Sequence, residues 1–367
     1  MAIISLVPVL PLLLEEFATT PGSEFLVPIA LTIPALCVAL FSPVAGWVSD
    51  KIGRKKLLVG SLVIYAIAGS FPLFLTDLKQ IIASRFALGI VEAAIMTVAT
   101  TLIGDYFTGE RREKWISVQI ASGSFAAIIL IAAGGFLGEA FGSRGPFLLY
   151  VLAIPIALAA AIILYEPVTR SDGLESRAAR FPLKAVLPLI LINGGVGLLF
   201  YSIVVQLGPI LQLSGSVSPA MIGIAGAAAN LGVVMGSLLF RRSIHRTGPT
   251  LLSAGLIISA IGYAGAGSAG SFVFIALFAV IACIGSGLML PNMLAWIMRH
   301  LPDDMRGRGV GLWTGAFFLG QFAAPVIATA LSAKTGGLAN TLLVFAALAA
   351  AGAVLTWVSY RNAAQSA

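Results

Sequence analysis

Charge is scarce in this chain. Asp, Glu, Lys and Arg together make up only 10% of 367 residues, against roughly 25% in ordinary soluble domains. Cysteine and histidine are rarer still, with two of each. The cysteines, Cys37 and Cys283, each sit inside an apolar run, which excludes a disulfide framework and any spaced set of metal ligands. His245 and His300 lie in polar loops, so no span supplies an imidazole, and no Ser/His/Asp grouping can be assembled for hydrolysis. A Gly-x-x-x-x-Gly-Lys-(Ser/Thr) loop is missing, so ATP is not the direct energy source. A Thr-Val-Gly-Tyr-Gly-like filter is missing too, which argues against a potassium channel. The reading is therefore a non-enzyme without cofactor or metal.

What the chain has is apolar length. Hydrophobic residues make up 59%, and the mean hydropathy is +1.02. A water-soluble fold of this composition could not cover its surface with polar groups, so lipid is the solvent for most of it. That excludes a cytosolic enzyme, a secreted scaffold, a disordered chain and a nucleic-acid binder. Eleven runs are long enough to span a bilayer, at 25–47, 57–75, 80–104, 115–138, 146–164, 183–208, 219–240, 250–268, 271–298, 310–333 and 337–359. A twelfth, 1–14, would rise only about 21 Å as a helix, short of the ~30 Å hydrocarbon core. Without a basic n-region or a small-residue cleavage site, it reads as the outer half of a first helix whose start lies upstream, rather than as a signal peptide.

The net charge of +7 is one-sided. Eighteen of the 22 Lys and Arg fall in alternate loops (48–56, 105–114, 165–184, 241–249, 299–309) and in the tail. Only Lys79, Arg144 and Lys334 fall in the others. This asymmetry predicts that the basic loops and the C-terminus are cytoplasmic in a plasma (inner) membrane protein. The polar stretch 165–182 divides the chain into an N-terminal bundle at 1–164 and a C-terminal bundle at 183–360, followed by a tail at 361–367. The bundles echo each other: 46–56 closes the second span and 236–246 the eighth, while 105–112 and 299–306 leave the fourth and tenth. Both echoes lie on the basic side, so the halves are parallel repeats about an axis along the membrane normal.

The stretch Gly46-Trp-Val-Ser-Asp50-Lys51-Ile-Gly53-Arg54-Lys55-Lys56 resembles the signature of the major facilitator superfamily, Gly-x-x-x-Asp-(Arg/Lys)-x-Gly-Arg-(Arg/Lys). The resemblance extends over the chain and implies an all-α, twelve-helix fold of 6+6 helices with the first incomplete here. It further implies a cytoplasmic gate in which Asp50 faces the start of the eleventh helix near Gly309–Gly311, while Arg54 pairs with Asp105. The plainer alternative makes these cations topology anchors. The second copy carries Phe240 where the first has Asp50. Pro8-Val-Leu-Pro11 resembles the first helix of the drug:proton antiporter branch. Against it, the fifth-span stretch Leu130-Ile-Ala-Ala-Gly134-Gly135 keeps the glycine pair of the antiporter motif but lacks its Gly-Pro.

Two ionisable residues lie deep in one span, Arg85 and Glu92. A charge at bilayer centre costs roughly 2.5–3.5 kcal/mol on insertion scales, so such residues face the bundle interior. Arg85, Gly89, Glu92 and Met96 share one helical face, and Glu92 falls at mid-span. Arg85-x-x-x-Gly89 resembles the family's helix-four motif associated with proton coupling, which makes Glu92 and Arg85 the candidate coupling pair; a structural Arg–Glu tie is the alternative. The second half carries amides instead. Asn193, Asn230, Asn292 and Gln321, with Tyr201, are candidate substrate-lining groups, each also able to serve as an interhelical hydrogen bond. Together these features predict a monomeric secondary transporter in the lipid bilayer, exporting a small molecule against protons by alternating access. A symporter or uniporter for a sugar-like metabolite, or a non-transporting sensor or scaffold, are the competing readings.

Overall fold

The computed structural model describes residues 3–167, 182–243, 245–246, 248–301 and 306–365. The described residues are helical with short turns, and ten helices among them are long and apolar enough to cross a membrane. The inter-bundle stretch lies mostly outside the described residues.

The N-terminal half begins with a 3₁₀ segment, Ile4–Val9, that runs into α1, Leu10–Glu16. Then follow α2 (Ser23–Ile52), α3 (Arg54–Ser70), α4 (Leu78–Tyr106) and α5 (Gly109–Phe141). A second 3₁₀ stretch, Gly142–Leu152, leads into α6, Ala153–Ile163. The C-terminal half has α7 (Leu183–Val205, with a further helical turn at Leu207–Leu211), α8 (Pro219–Arg242) and α9 (Gly248–Ser268). It ends with α10 (Phe272–Arg299), α11 (Arg306–Thr335) and α12 (Leu338–Gln365). The last helix continues through most of the stretch that the sequence suggests as tail, because Asn-Ala-Ala-Gln contains no breaker.

Local chemistry sets several boundaries. Asp77 starts α4 by accepting from the backbone N–H groups of Lys79 and Gln80 at 2.7 and 3.1 Å, satisfying two orphan donors of the first turn. Pro219 opens α8 where its missing N–H costs nothing, after Ser218 at the cap. Between α2 and α3 the chain turns at Gly53 with φ +99°, a conformation that L side chains rarely adopt. On the same rim as the α4 start, Arg144 lies 2.5 Å from Glu16 and donates to the Pro72 carbonyl at 3.3 Å, tying α1 to the 3₁₀ stretch.

Three buried apolar clusters report how the halves meet. One belongs to the N-terminal half alone, around Leu58, Leu62, Val98 and Leu102. Another belongs to the C-terminal half alone, around Val186, Leu252, Met293 and Ile297. Both lie towards the end that carries the basic loops. The third joins the halves: Val7 and Leu10 with Leu207, Ile210 and Ile222, all towards the opposite end. The two bundles thus share one core at the non-basic end and keep separate cores at the basic end.

Candidate functional site

The α4 face that the sequence singles out runs from the buried Arg85 towards the basic end. Arg85 is fully buried, Glu92 is half-buried and Met96 is 40% exposed. Accessibility therefore rises along one stripe towards the basic end, where the Gln119 amide donates to the Thr100 hydroxyl at 3.2 Å. At the buried end, Arg85 donates through Nη1 to the Tyr150 hydroxyl at 2.7 Å and through Nε to the Ala30 carbonyl at 3.3 Å. Its guanidinium also stands 5.3 Å from the Tyr150 ring centroid. Tyr150 projects from the 3₁₀ stretch before α6, and a mid-span 3₁₀ segment often marks a functional bend. Gly89 keeps α4 against α2: a Cβ there would stand 2.6 Å from the Pro34 backbone and 2.7 Å from Cys37 Cβ.

Tyr65, Tyr150 and Tyr201 all stand within electrostatic range of the Glu92 carboxylate, as does the Cys37 thiol. Tyr65 and Tyr150 come from the N-terminal half, their rings 5.4 Å apart. Tyr201 comes from α7 in the other half, so the acid looks across the interface between the bundles.

The facing wall is built from α7 and α11. Asn193 is fully buried and donates to the Trp313 carbonyl at 2.8 Å. The Asn193 Oδ1, the Trp313 Nε1 and the Gln321 Oε1 have no protein partner among the described residues. The Trp313 ring stacks at 6.0 Å on Phe317, which also meets Tyr201 at 5.7 Å and Phe200 at 6.3 Å. An aromatic ladder thus lies beside buried amide and indole atoms that have no protein partner among the described residues. The other two amides are spent elsewhere. Asn230 donates to its own helix at the Gly226 carbonyl, 3.0 Å away. Asn292, expected to line the same cavity, instead donates to the Gly248 carbonyl at 2.9 Å and ties α10 to the start of α9. Only seven residues separate it from the basic end of α10, about 10 Å along the axis, which places it below the other amides.

At the basic end the motif residues form one cluster. Gly46 lies 3.9 Å, measured from an added Cβ, from Thr97 on α4. Arg54 reaches Asp105 at 2.9 Å and Asp50 at 3.3 Å, joining the ends of α2, α3 and α4. Lys51 sits 3.8 Å over the Trp47 ring. A partner the sequence did not suggest completes the group: Glu166, just beyond α6, accepts from the backbone N–H of Arg54 at 2.5 Å and of Lys55 at 3.1 Å. It caps α3, whose start has no side-chain cap of its own. A Cβ on Gly53 would stand 3.0 Å from that carboxylate. Asp50 is 64% exposed. In this conformation the acid of Asp50 turns to Arg54.

The sequence pattern that defines the Major Facilitator Superfamily matches residues 1–246 and 189–366. The chain belongs to this superfamily. It is a multi-pass membrane transporter, not an enzyme, and as a member of the Major Facilitator Superfamily it moves small molecules across a membrane. Among its relatives, the multi-drug resistance efflux pump PmrA of Streptococcus pneumoniae is 26% identical over 356 residues, covering 90% of this chain and 85% of that one. The class C tetracycline resistance protein of Escherichia coli is 27% identical over 356 residues, covering 91% and 87%. In fold, the chain is similar to a bacterial homologue of the human lysosomal transporter Spinster in an inward-facing and occupied conformation. That likeness has TM-score 0.78 and 18% identity, covering 97% of this chain and 94% of that one. Within the Major Facilitator Superfamily fold, the arrangement offers a carboxylate to one half and an aromatic, amide-bearing wall to the other. Among the described residues no His/Cys/Asp/Glu group could hold a metal ion.

Proposed function

We propose that the protein is a proton-coupled exporter of small, amphipathic molecules in a bacterial plasma membrane, working by alternating access. The Lys and Arg distribution supports a cytoplasmic basic end, and the core shared between the halves at the other end supports an inward-facing reading. The observation that carries the reading is Glu92: a half-buried acid at mid-span of α4, with Tyr201 of the other half within its field. A carboxylate there can hold a proton on one side of the membrane and release it on the other as the halves rock. An uncharged wall of Trp313, Phe317, Asn193 and Gln321 suits a molecule with an apolar body and a few polar groups. The drug-resistance relatives agree in substrate type.

The test uses everted vesicles with an acid interior. A cationic dye, a tetracycline and a quinolone are added in turn, and dissipation of the gradient is followed. Substrate-triggered proton release is expected from the wild type and not from Glu92→Gln, which should still exchange substrate down its gradient. Release that persists in Glu92→Gln removes the acid from the coupling role.

A further inference from the structure

The non-basic end contains a charged contact that neither the motif nor the cavity accounts for. Glu139, in the last turn of α5, reaches from the N-terminal half to the start of α8 in the C-terminal half. Its Oε2 accepts from the Ser218 hydroxyl at 2.8 Å and from the Ala220 backbone N–H at 3.1 Å. The start of α8 does not depend on it, because Ser218 itself caps the Met221 N–H. The acid meets instead the positive end of the helix dipole and an N–H that no carbonyl of α8 can reach. One turn inward, α5 and α8 touch backbone to backbone: a Cβ on Gly135 would stand 2.6 Å from the Pro219 carbonyl and 2.9 Å from Gly223 Cα. The contact can therefore form only while the outer end is shut.

We infer that Glu139 is an outer-gate latch, an acid on the start of a helix in the opposite half that holds the inward-open state and is released when the outer end opens. This rests on alternating access but not on the direction of transport or the coupling ion. Hydrogen-bond geometry is lost within about 1 Å, and the dipole's influence fades beyond the first turn. Rocking therefore breaks the latch at the start of opening, so it sets both the ratio of the two states and the ease of leaving the closed one.

The test is distance measurement between spin labels in lipid nanodiscs, with Cys37 and Cys283 replaced by alanine. One pair, Phe141→Cys with Leu213→Cys, reports the outer rim; a second, Lys56→Cys with Arg242→Cys, reports the basic end. All four side chains are exposed. Glu139→Ala should raise the share with a long outer and short inner distance about fivefold, the scale of one exposed acid at a helix start. Ser218→Asp separates a gate from a local helix cap. Aspartate caps helices well, so a capping role predicts no change, whereas a latch predicts opening because two carboxylates then face each other. Adding Glu139→Gln to Ser218→Asp should restore the wild-type ratio. Two anticorrelated populations in wild type, with a ratio that neither Glu139→Ala nor Ser218→Asp alters, overturn the latch alone. A single population in every variant, with or without substrate, overturns alternating access and the latch with it.

Discussion

A single methyl group at Gly135 should drive the protein towards its outward-open state. The added Cβ would stand 2.6 Å from the Pro219 carbonyl oxygen and 2.9 Å from Gly223 Cα. Both are backbone atoms, so no rotamer change relieves the overlap; α5 and α8 must part by several tenths of an ångström. Overpacking of this kind costs about 1–3 kcal/mol. The cost falls on the state in which the helices touch and vanishes when the outer end opens, so the two states shift against each other by about 5- to 150-fold. Gln206 gives the readout, since it follows α7 at the non-basic end and is only 6% exposed. A cysteine placed there, with Cys37 and Cys283 replaced, should react slowly with a membrane-impermeant maleimide added from outside. Gly135→Ala should raise that rate in proportion to the outward-open share, and Gly135→Val should raise it further. An unchanged rate in a variant that still melts cooperatively at the parental temperature would refute the reasoning, because the helices would have absorbed the methyl without separating.

Two further substitutions address the fixed parts of the N-terminal half. Gly53→Ala combines a φ of +99° with a Cβ 3.0 Å from the Glu166 carboxylate, so it should lower stability by about 1–3 kcal/mol; a thermal melt in detergent indistinguishable from wild type would contradict this. Tyr150→Phe removes the hydroxyl that accepts from Arg85 at 2.7 Å. The loss should exceed the ~0.6 kcal/mol average for interhelical bonds in membranes and approach the ~1.5–3 kcal/mol of a charge-assisted bond, again read as a lowered melting temperature, with no change as the refuting result.

Apolar periodicity reaches the helices, because they rest on a signal repeated over many residues. Single partners are harder to read. Tyr150 sits in a 3₁₀ stretch, where three residues per turn displace side chains from an α-helical wheel, so its approach to Arg85 is invisible to a 3.6-residue pattern. Glu166 lies in a polar linker and reads as a solvated charge. Its one trace in the sequence is a deficit: α3 follows Gly53 with no Ser, Thr, Asp or Asn at its cap, so a cap has to come from elsewhere in the chain. Asn292 shows the opposite failure. Residue type alone placed it with the cavity amides, whereas in the structure it lies lower on α10 and donates to the Gly248 carbonyl. Trp313 and Phe317 look like ordinary apolar positions until α7 and α11 are seen to pack and their rings align in one ladder.

On the proposed latch, and on the gate role that the superfamily resemblance gives Asp50, the two ends of the molecule would carry the same device, and the energetics explain why that suits a transporter. At the non-basic end an acid from one half, Glu139, occupies the start of a helix in the other. At the basic end Asp50, to which the superfamily resemblance gives the matching role towards α11, is exposed and turned to Arg54. Each such contact at the surface is worth only about 0.3–1 kcal/mol. A single strong clamp would trap the protein, since about 5.5 kcal/mol separates a state populated at 1% from one at 99%. Two weak latches, one made as the other is lost, nearly cancel in the equilibrium and leave the states close in energy. The remaining difference then lies within reach of a single bound ligand or ion whose affinity differs between the two states.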